Sequence, residues 1–287
     1  MTGPNIVAIG GGHGLASTLS AARSLTEELT AVVSVADDGG SSGRISESLG
    51  LPALGDLRKA LVALSAPDSA LAAAMHHRFT AGELGGHALG NLLIAAMAEN
   101  GGDLVGSLDA VRDLLGATGR VLPGALEPVV LWGETADGES VKGQVAVMRT
   151  AGLAHVRLDR PDVPVPDAVP EAIDAADLVI LGPGSLYTSV LAACAADDVR
   201  EAVSATRAKV VYVCNLRPQQ AETIDYGAAD HVAALQRHGI EPDVVLIDPR
   251  GLPEGDAVPG ARLTRLGADD HPGHDPGLLS AALADLV

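Results

Sequence analysis

Two glycine-rich turns constrain this chain more than any other feature. Residues 7–15 read VAIGGGHGL and residues 33–44 read VSVADDGGSSGR, and each turn closes a short, β-branched apolar run. A strand that ends in glycines and feeds a helix exposes backbone N–H groups at the helix N-terminus, where the dipole and the missing side chains favour a phosphate. The pattern predicts a doubly wound α/β fold, with a mainly parallel sheet whose carboxyl edge is built to hold a nucleotide.

The first turn, Gly10-Gly11-Gly12-His13-Gly14-Leu15, lacks the third glycine of the dinucleotide fingerprint at its proper offset, and no Gly-Lys-Ser/Thr follows to make a P-loop. Alone, it also fits a bare strand-to-helix turn. The second turn adds chemistry. Asp37-Asp38-Gly39-Gly40-Ser41-Ser42-Gly43 sets two carboxylates, two hydroxyls and three glycines at the end of the neighbouring strand. Adjacent side chains rarely face the same way, so at most one aspartate reaches a cation. Asp38 is the one assigned to it, and capping of the following turn is the plain alternative for both.

A third turn, Gly182-Pro183-Gly184-Ser185, follows a buried-type strand at 177–181 and opens a helix. In a doubly wound sheet it is expected to face the same crevice, with Ser185, Thr188 and Asn215 completing the pocket and Tyr187 walling its apolar side. His87 and Asn91 are four apart, share a helix face and are expected to line the site. Arg44 and Arg58 are the cations expected at a diphosphate, unless they pair with acids. His76, His77, Asp230 and His231 read as core or helix surface, and Asp56 as the cap of its own helix.

Strand and helix patterns alternate along one domain over residues 1–287, interrupted at about 120–158 by β runs joined through Asp137-Gly138. That hairpin signal reads as a small antiparallel insertion. A formal net charge of −18 argues against a general affinity for nucleic acid or anionic membrane. Capture of a phosphorylated ligand by loop amides stays open, because long-range fields are screened over about 10 Å. Aromatic residues make up 2% of the chain, which removes stacking platforms for nucleic-acid bases. No apolar run reaches the roughly 18 residues of a membrane span, and no basic leader precedes the first strand, so a cytoplasmic location is expected. Cys194 and Cys214 have neither metal spacing nor a disulfide framework. GPGSLY is not a GxSxG elbow, and HExxH, CxxC and kinase signatures are absent from the sequence. That absence of a nucleophile favours a binding protein.

Five motifs in order carry a resemblance. VSVADDGGSSGR, Gly55-Asp56-Leu57-Arg58 with Leu61-Val62-Ala63-Leu64, Gly86-His87-Ala88-Leu89-Gly90-Asn91, Gly119-Arg120-Val121-Leu122-Pro123 and Leu181-Gly182-Pro183-Gly184-Ser185-Leu186-Tyr187-Thr188-Ser189 closely resemble the bacterial gluconeogenesis factor family. That family shares a superfamily with 2-phospho-L-lactate transferase. The resemblance implies a Rossmann-like cytoplasmic protein that binds UDP-sugars, UDP-N-acetylglucosamine above all. It implies a role in cell-wall precursor supply and cell shape, with a protein partner in that synthesis, and leaves a homo-oligomer open. The transferase relatives use the same strand-end site with magnesium, so a metal-dependent nucleotidyl- or phospho-group transferase is the second hypothesis. His13 stands where the family often has threonine, Ala221 stands in a glycine place, and the chain diverges after Asp248.

Overall fold

Ten of the apolar runs become strands in the structure, a computed structural model that describes residues 3–253, 255–269 and 271–287. In chain order they are β1 (Ile6–Gly10), β2 (Leu29–Val33), β3 (Arg120–Pro123), β4 (Leu131–Thr135), β5 (Ser140–Lys142), β6 (Leu153–Leu158), β7 (Leu178–Leu181), β8 (Lys209–Val213), β9 (Val244–Ile247) and β10 (Ala261–Leu263). Seven form one sheet in the order β10-β9-β8-β7-β1-β2-β3, with every pairing parallel. All residues of β1 and β7 are buried. A parallel strand covered by helices on both faces needs an unbroken apolar run, and IVAIG and LVIL supply it.

The helices are α1 (Gly12–Ala22), α2 (Gly40–Leu49), α3 (Gly55–Leu64), α4 (Ala70–Met75), α5 (Leu89–Gly101), α6 (Leu104–Leu115), α7 (Gln144–Met148), α8 (Ala168–Asp174), α9 (Asp197–Ala205), α10 (Ala228–Arg237) and α11 (Pro276–Ala284), with a π-helical turn at Leu186–Leu191. The chain winds outward from β1 through β2 to β3, then returns to β7 and winds the other way. The direction therefore reverses between β1 and β7. In open α/β sheets that reversal splays the two following loops apart and leaves a crevice at the carboxyl edge. The doubly wound, mainly parallel fold is the one expected from the sequence.

The insertion is smaller than expected. Arg120–Pro123 is not part of it, because β3 pairs in parallel with β2 and extends the main sheet. The antiparallel sheet is β5-β4-β6, with the β4–β5 hairpin turning through Asp137-Gly138. Past β5 the insertion turns helical as α7, whose start is held by a side chain from the second turn, described below. α6 has a full signature: Asp103 caps it by accepting from Val105 and Gly106 amides, Gly116 ends it in the left-handed region, and Leu104, Leu108, Val111 and Leu115 bury one stripe. Among the described residues no helix is long and apolar enough to cross a membrane.

Candidate functional site

Gly11 occupies the N-cap of α1 and supplies no side chain to its amides. Asp56, in the first turn of α3, does so instead: Gly12 N–H donates to its Oδ2 at 2.7 Å, and Lys59 Nζ donates to its Oδ1 at 2.8 Å. The aspartate expected to cap its own helix thus bridges to the first turn. Gly10 and Gly12 have φ of +157° and +65°, and a Cβ at Gly12 would meet no atom within 4 Å, so this glycine faces open space. Gly14 is the opposite case, because its Cβ would run into the Pro183 carbonyl of the third turn. Leu15 is buried under α1. It is a core residue and not, as expected, a ligand contact, since the i+3 position from Gly12 faces the sheet.

The third turn closes against the first. The Thr18 hydroxyl donates to Gly182 O at 2.6 Å, and Gly184 N–H donates to Asn215 Oδ1 at 3.4 Å from the end of β8. Asn215 Nδ2 is buried with no partner among the described residues. Ser185 stands at the N-cap position of the π-helical turn without making a side-chain cap bond and is half-buried. Tyr187 and Thr188 correct the expectation. Tyr187 is fully buried, with its hydroxyl donating to Leu153 O at 2.7 Å beneath β6, and the Thr188 hydroxyl donates to Glu222 Oε2 at 3.0 Å. Neither lines the crevice. The cause is Glu222, whose buried carboxylate also accepts the Tyr187 amide at 2.6 Å and so satisfies a helix start that lacks a side-chain cap of its own. Burial raises the Glu222 pKa, and the Tyr187 and Thr188 donors oppose that shift.

The second turn opens α2 with Gly39 at the N-cap, Gly40 at φ +53°, and no side-chain cap. Asp37 faces inward. Its Oδ1 accepts Gly39 N–H at 2.9 Å, and burial above all, with the Asp56 charge adding to it, raises its pKa against the Gly39 and Ser42 hydrogen bonds. Asp38 faces away, toward the insertion, where its Oδ1 accepts Val145 N–H at 3.2 Å at the start of α7. The buried Ser41 gathers the next helix: its Oγ lies 3.1 Å from His87 Nδ1, and Asn91 Nδ2 donates to it at 3.3 Å. Asn91 Oδ1 accepts from Arg58 Nε at 3.0 Å, and Arg58 Nη1 lies 2.9 Å from His76 Nδ1. Arg58 is therefore an internal strut and not a free phosphate partner. Arg44 is exposed and donates to Gly85 O at 3.0 Å.

Magnesium does not fit the expected place. Asp38 serves α7, both Asp56 oxygens have protein donors, and among the described residues no three His, Cys, Asp or Glu side chains gather in a way that would hold an ion. A cation at this edge would have to arrive on the ligand's own phosphates.

The crevice has two joined arms. One, of about 310 Å³, runs past Gly14, Gly184, Asn215 and Gln219, and the other, of about 600 Å³, runs between α1 and α3 past Lys59 and His76. Sequence reasoning missed Asp56, Lys59 and Glu222 as site-builders. For Lys59 the signal was its i,i+3 spacing from Asp56, while Glu222 gave no local signal at all.

The family model described as 2-phospho-L-lactate transferase CofD matches residues 6–258. A putative gluconeogenesis factor from Thermotoga maritima is 41% identical over 248 residues, covering 85% of this chain and 79% of the relative. One from Mycobacterium tuberculosis is 42% identical, covering 97% and 89%. Other relatives are longer, and this chain spans only about half of them. The crystal structure of a UPF0052 family protein from Bacillus halodurans superposes with a TM-score of 0.92 at 33% identity over 99% of both chains. With its motifs, its switch-point crevice and these likenesses in agreement, the chain belongs to the gluconeogenesis factor family, within the group that the 2-phospho-L-lactate transferase model describes.

Proposed function

We propose that this protein binds a nucleotide sugar, of the UDP-N-acetylglucosamine kind, in the crevice between β1 and β7 and acts as a regulator of gluconeogenic growth and cell-wall precursor supply through a protein partner. One observation carries the reading: two helices, α1 and α2, start at the carboxyl edge, beside the switch point, from glycine N-caps that bring no side chain of their own, and in α1 Asp56 takes only the Gly12 amide. Their first amides have no intrahelical acceptors, and the dipoles favour an anion. Asn215 Nδ2, buried and unpartnered beside Gly184, supports it as a further donor. The second reading, a nucleotidyl- or phospho-group transferase, is favoured by the match to the transferase family model. Calorimetry with UDP-N-acetylglucosamine, UTP and NAD, each with and without magnesium, tests the first. Tight binding of the UDP-sugar without metal is expected, and binding of NAD alone refutes it. Incubation with UTP, a sugar 1-phosphate and magnesium tests the second, since catalytic formation of UDP-sugar would replace the regulator by the transferase.

A further inference from the structure

We infer that the outer face of the insertion is a docking surface for an acidic segment of a partner protein, and that the second turn ties this surface to the crevice; the inference rests on the regulator reading above. The chain has one tryptophan, Trp132, and it is only half-buried. Strand alternation sends Leu131, Gly133 and Thr135 of β4 inward, where they are buried, and Trp132 and Glu134 outward. The register then sets Trp132 directly opposite Lys142 of β5 on one side and Arg157 of β6 on the other, both exposed. Lys142 Nζ stands 5.6 Å and Arg157 Cζ 5.4 Å from the centre of the indole.

Cross-strand pairs of this kind stabilise a small sheet, which explains where the three side chains lie. It does not explain the charges. An indole orients a cation without neutralising it, and in a chain with 37 Asp and Glu to 19 Lys and Arg a carboxylate is the ordinary partner. Among the described residues neither Lys142 nor Arg157 has one, since every ion pair belongs to another cation. Glu134, on the same face, lies opposite Ser140 and His155 instead. An acidic molecule thus carries a local spot that is basic and aromatic. Trp and Arg anchor protein interfaces, and charge complementarity selects the partner. A short acidic segment would give carboxylates to both cations and cover the indole with an apolar side chain. A nucleic acid fits less well, because its phosphate backbone would run past the spot along a chain of net charge −18.

The spot also adjoins the second turn. Gly143, next to Lys142, has φ of +96° and lies against the Asp38 carboxylate, and its N–H donates to Leu131 O at 2.7 Å, beside Trp132. Asp38 Oδ1 accepts the Val145 amide two residues further on. A ligand that shifts the second turn therefore moves the backbone carrying Lys142 and Trp132, and by linkage a docked partner acts back on ligand affinity.

Fluorescence anisotropy of a labelled peptide of about ten residues, glutamates around a central leucine, tests this at about 0.15 M salt. It is read with the parent, Lys142→Gln/Arg157→Gln and Lys142→Glu/Arg157→Glu, with folding checked by circular dichroism. The parent should bind the peptide saturably. The neutral pair of substitutions should weaken binding about tenfold and the reversed pair should abolish it, while both keep the parent's calorimetric affinity for UDP-N-acetylglucosamine. A peptide with glutamine in place of glutamate should not bind the parent, which tests the charges without relying on a variant. Saturating UDP-N-acetylglucosamine should change the parent's affinity for the peptide at least about threefold. No saturable binding by the parent, equal binding by both variants, or tighter binding of a single-stranded RNA of equal length overturns the docking surface and leaves the nucleotide reading standing. A peptide affinity indifferent to bound sugar nucleotide overturns the tie to the crevice. Peptide binding by a parent that takes no sugar nucleotide overturns the regulator reading and leaves the surface.

Discussion

The first glycine turn is keyed to its surroundings by backbone at Gly14, with a side-chain tie at Gly12 alone, and the second is tied to its surroundings by several side chains. At the first, Gly14 lies directly against the Pro183 carbonyl, and the Gly12 amide is held by Asp56. At the second, Ser41 reaches His87 and Asn91, Arg44 reaches Gly85 O, and Asp38 reaches Val145 in the insertion. Both turns present glycine-capped helix starts. What differs is how each is fixed: backbone keying tolerates no added atom, whereas side-chain ties tolerate one and can be loosened singly. Through Asp38, any displacement of the insertion is also felt at the second turn.

Paired substitutions give the largest expected contrast. In Gly14→Ala the new methyl meets Pro183 and Gly184 backbone that cannot swing aside, so the cost should exceed about 3 kcal/mol. In Gly40→Ala the methyl meets nothing within 4 Å, and only the φ of +53° is penalised, by about 1–2 kcal/mol. Urea unfolding of both variants measures the difference. Equal losses would break the comparison.

A pH series sharpens the side of the second turn. Burial first, then Arg44 and Arg78, lowers the His87 pKa. The unfolded chain therefore takes up a proton at its ordinary value of about 6.5 while the folded ring does not, so this contribution to stability is lost as pH falls below about 6.5 toward the folded value. His76, His231, His238 and His274 shift in the same direction and share the slope. His87→Gln should remove only its part, flattening the unfolding free energy against pH in that window. An unchanged slope would mean that burial and the Arg44 and Arg78 charges do not hold the folded His87 ring neutral.

The fold was legible because its signals are local. IVAIG and LVIL have the unbroken apolar character of covered parallel strands, and each glycine turn marks where a strand stops. What sequence could not give was direction in space. Asp37 and Asp38 are neighbours in one motif, yet one faces the start of α3 and the other α7, and the partner of the second lies 107 residues away. Arg58 looked like a phosphate partner because its pairing with Asn91 and His76 exists only once α3, α4 and α5 have packed. Tyr187 and Thr188 were misplaced for a similar reason, since the π-helical turn and the distant Glu222 rotate them inward. β3 was assigned to the insertion because a four-residue run between turns says nothing of its partner, which proves to be β2.

The smallest expected effect concerns what stands behind the first turn. Ala221 has φ of +66° and is the one residue other than glycine with positive φ among the described residues. An alanine pays about 1–2 kcal/mol there, and glycine removes that strain while giving up about 0.5–1 kcal/mol to the greater freedom of the unfolded chain. Ala221→Gly should therefore raise stability by about 0.5–1 kcal/mol in urea unfolding. The neighbouring Glu222 accepts the amides of Tyr187 and Thr188, so part of the gain should reach the third turn, against which Gly14 is keyed. Hydrogen exchange locates it: amides at 182–190 should exchange more slowly relative to the parent than amides at 39–44. A rise of equal size in both segments would show that the two turns share one stability, and the distinction between backbone keying and side-chain ties would fail.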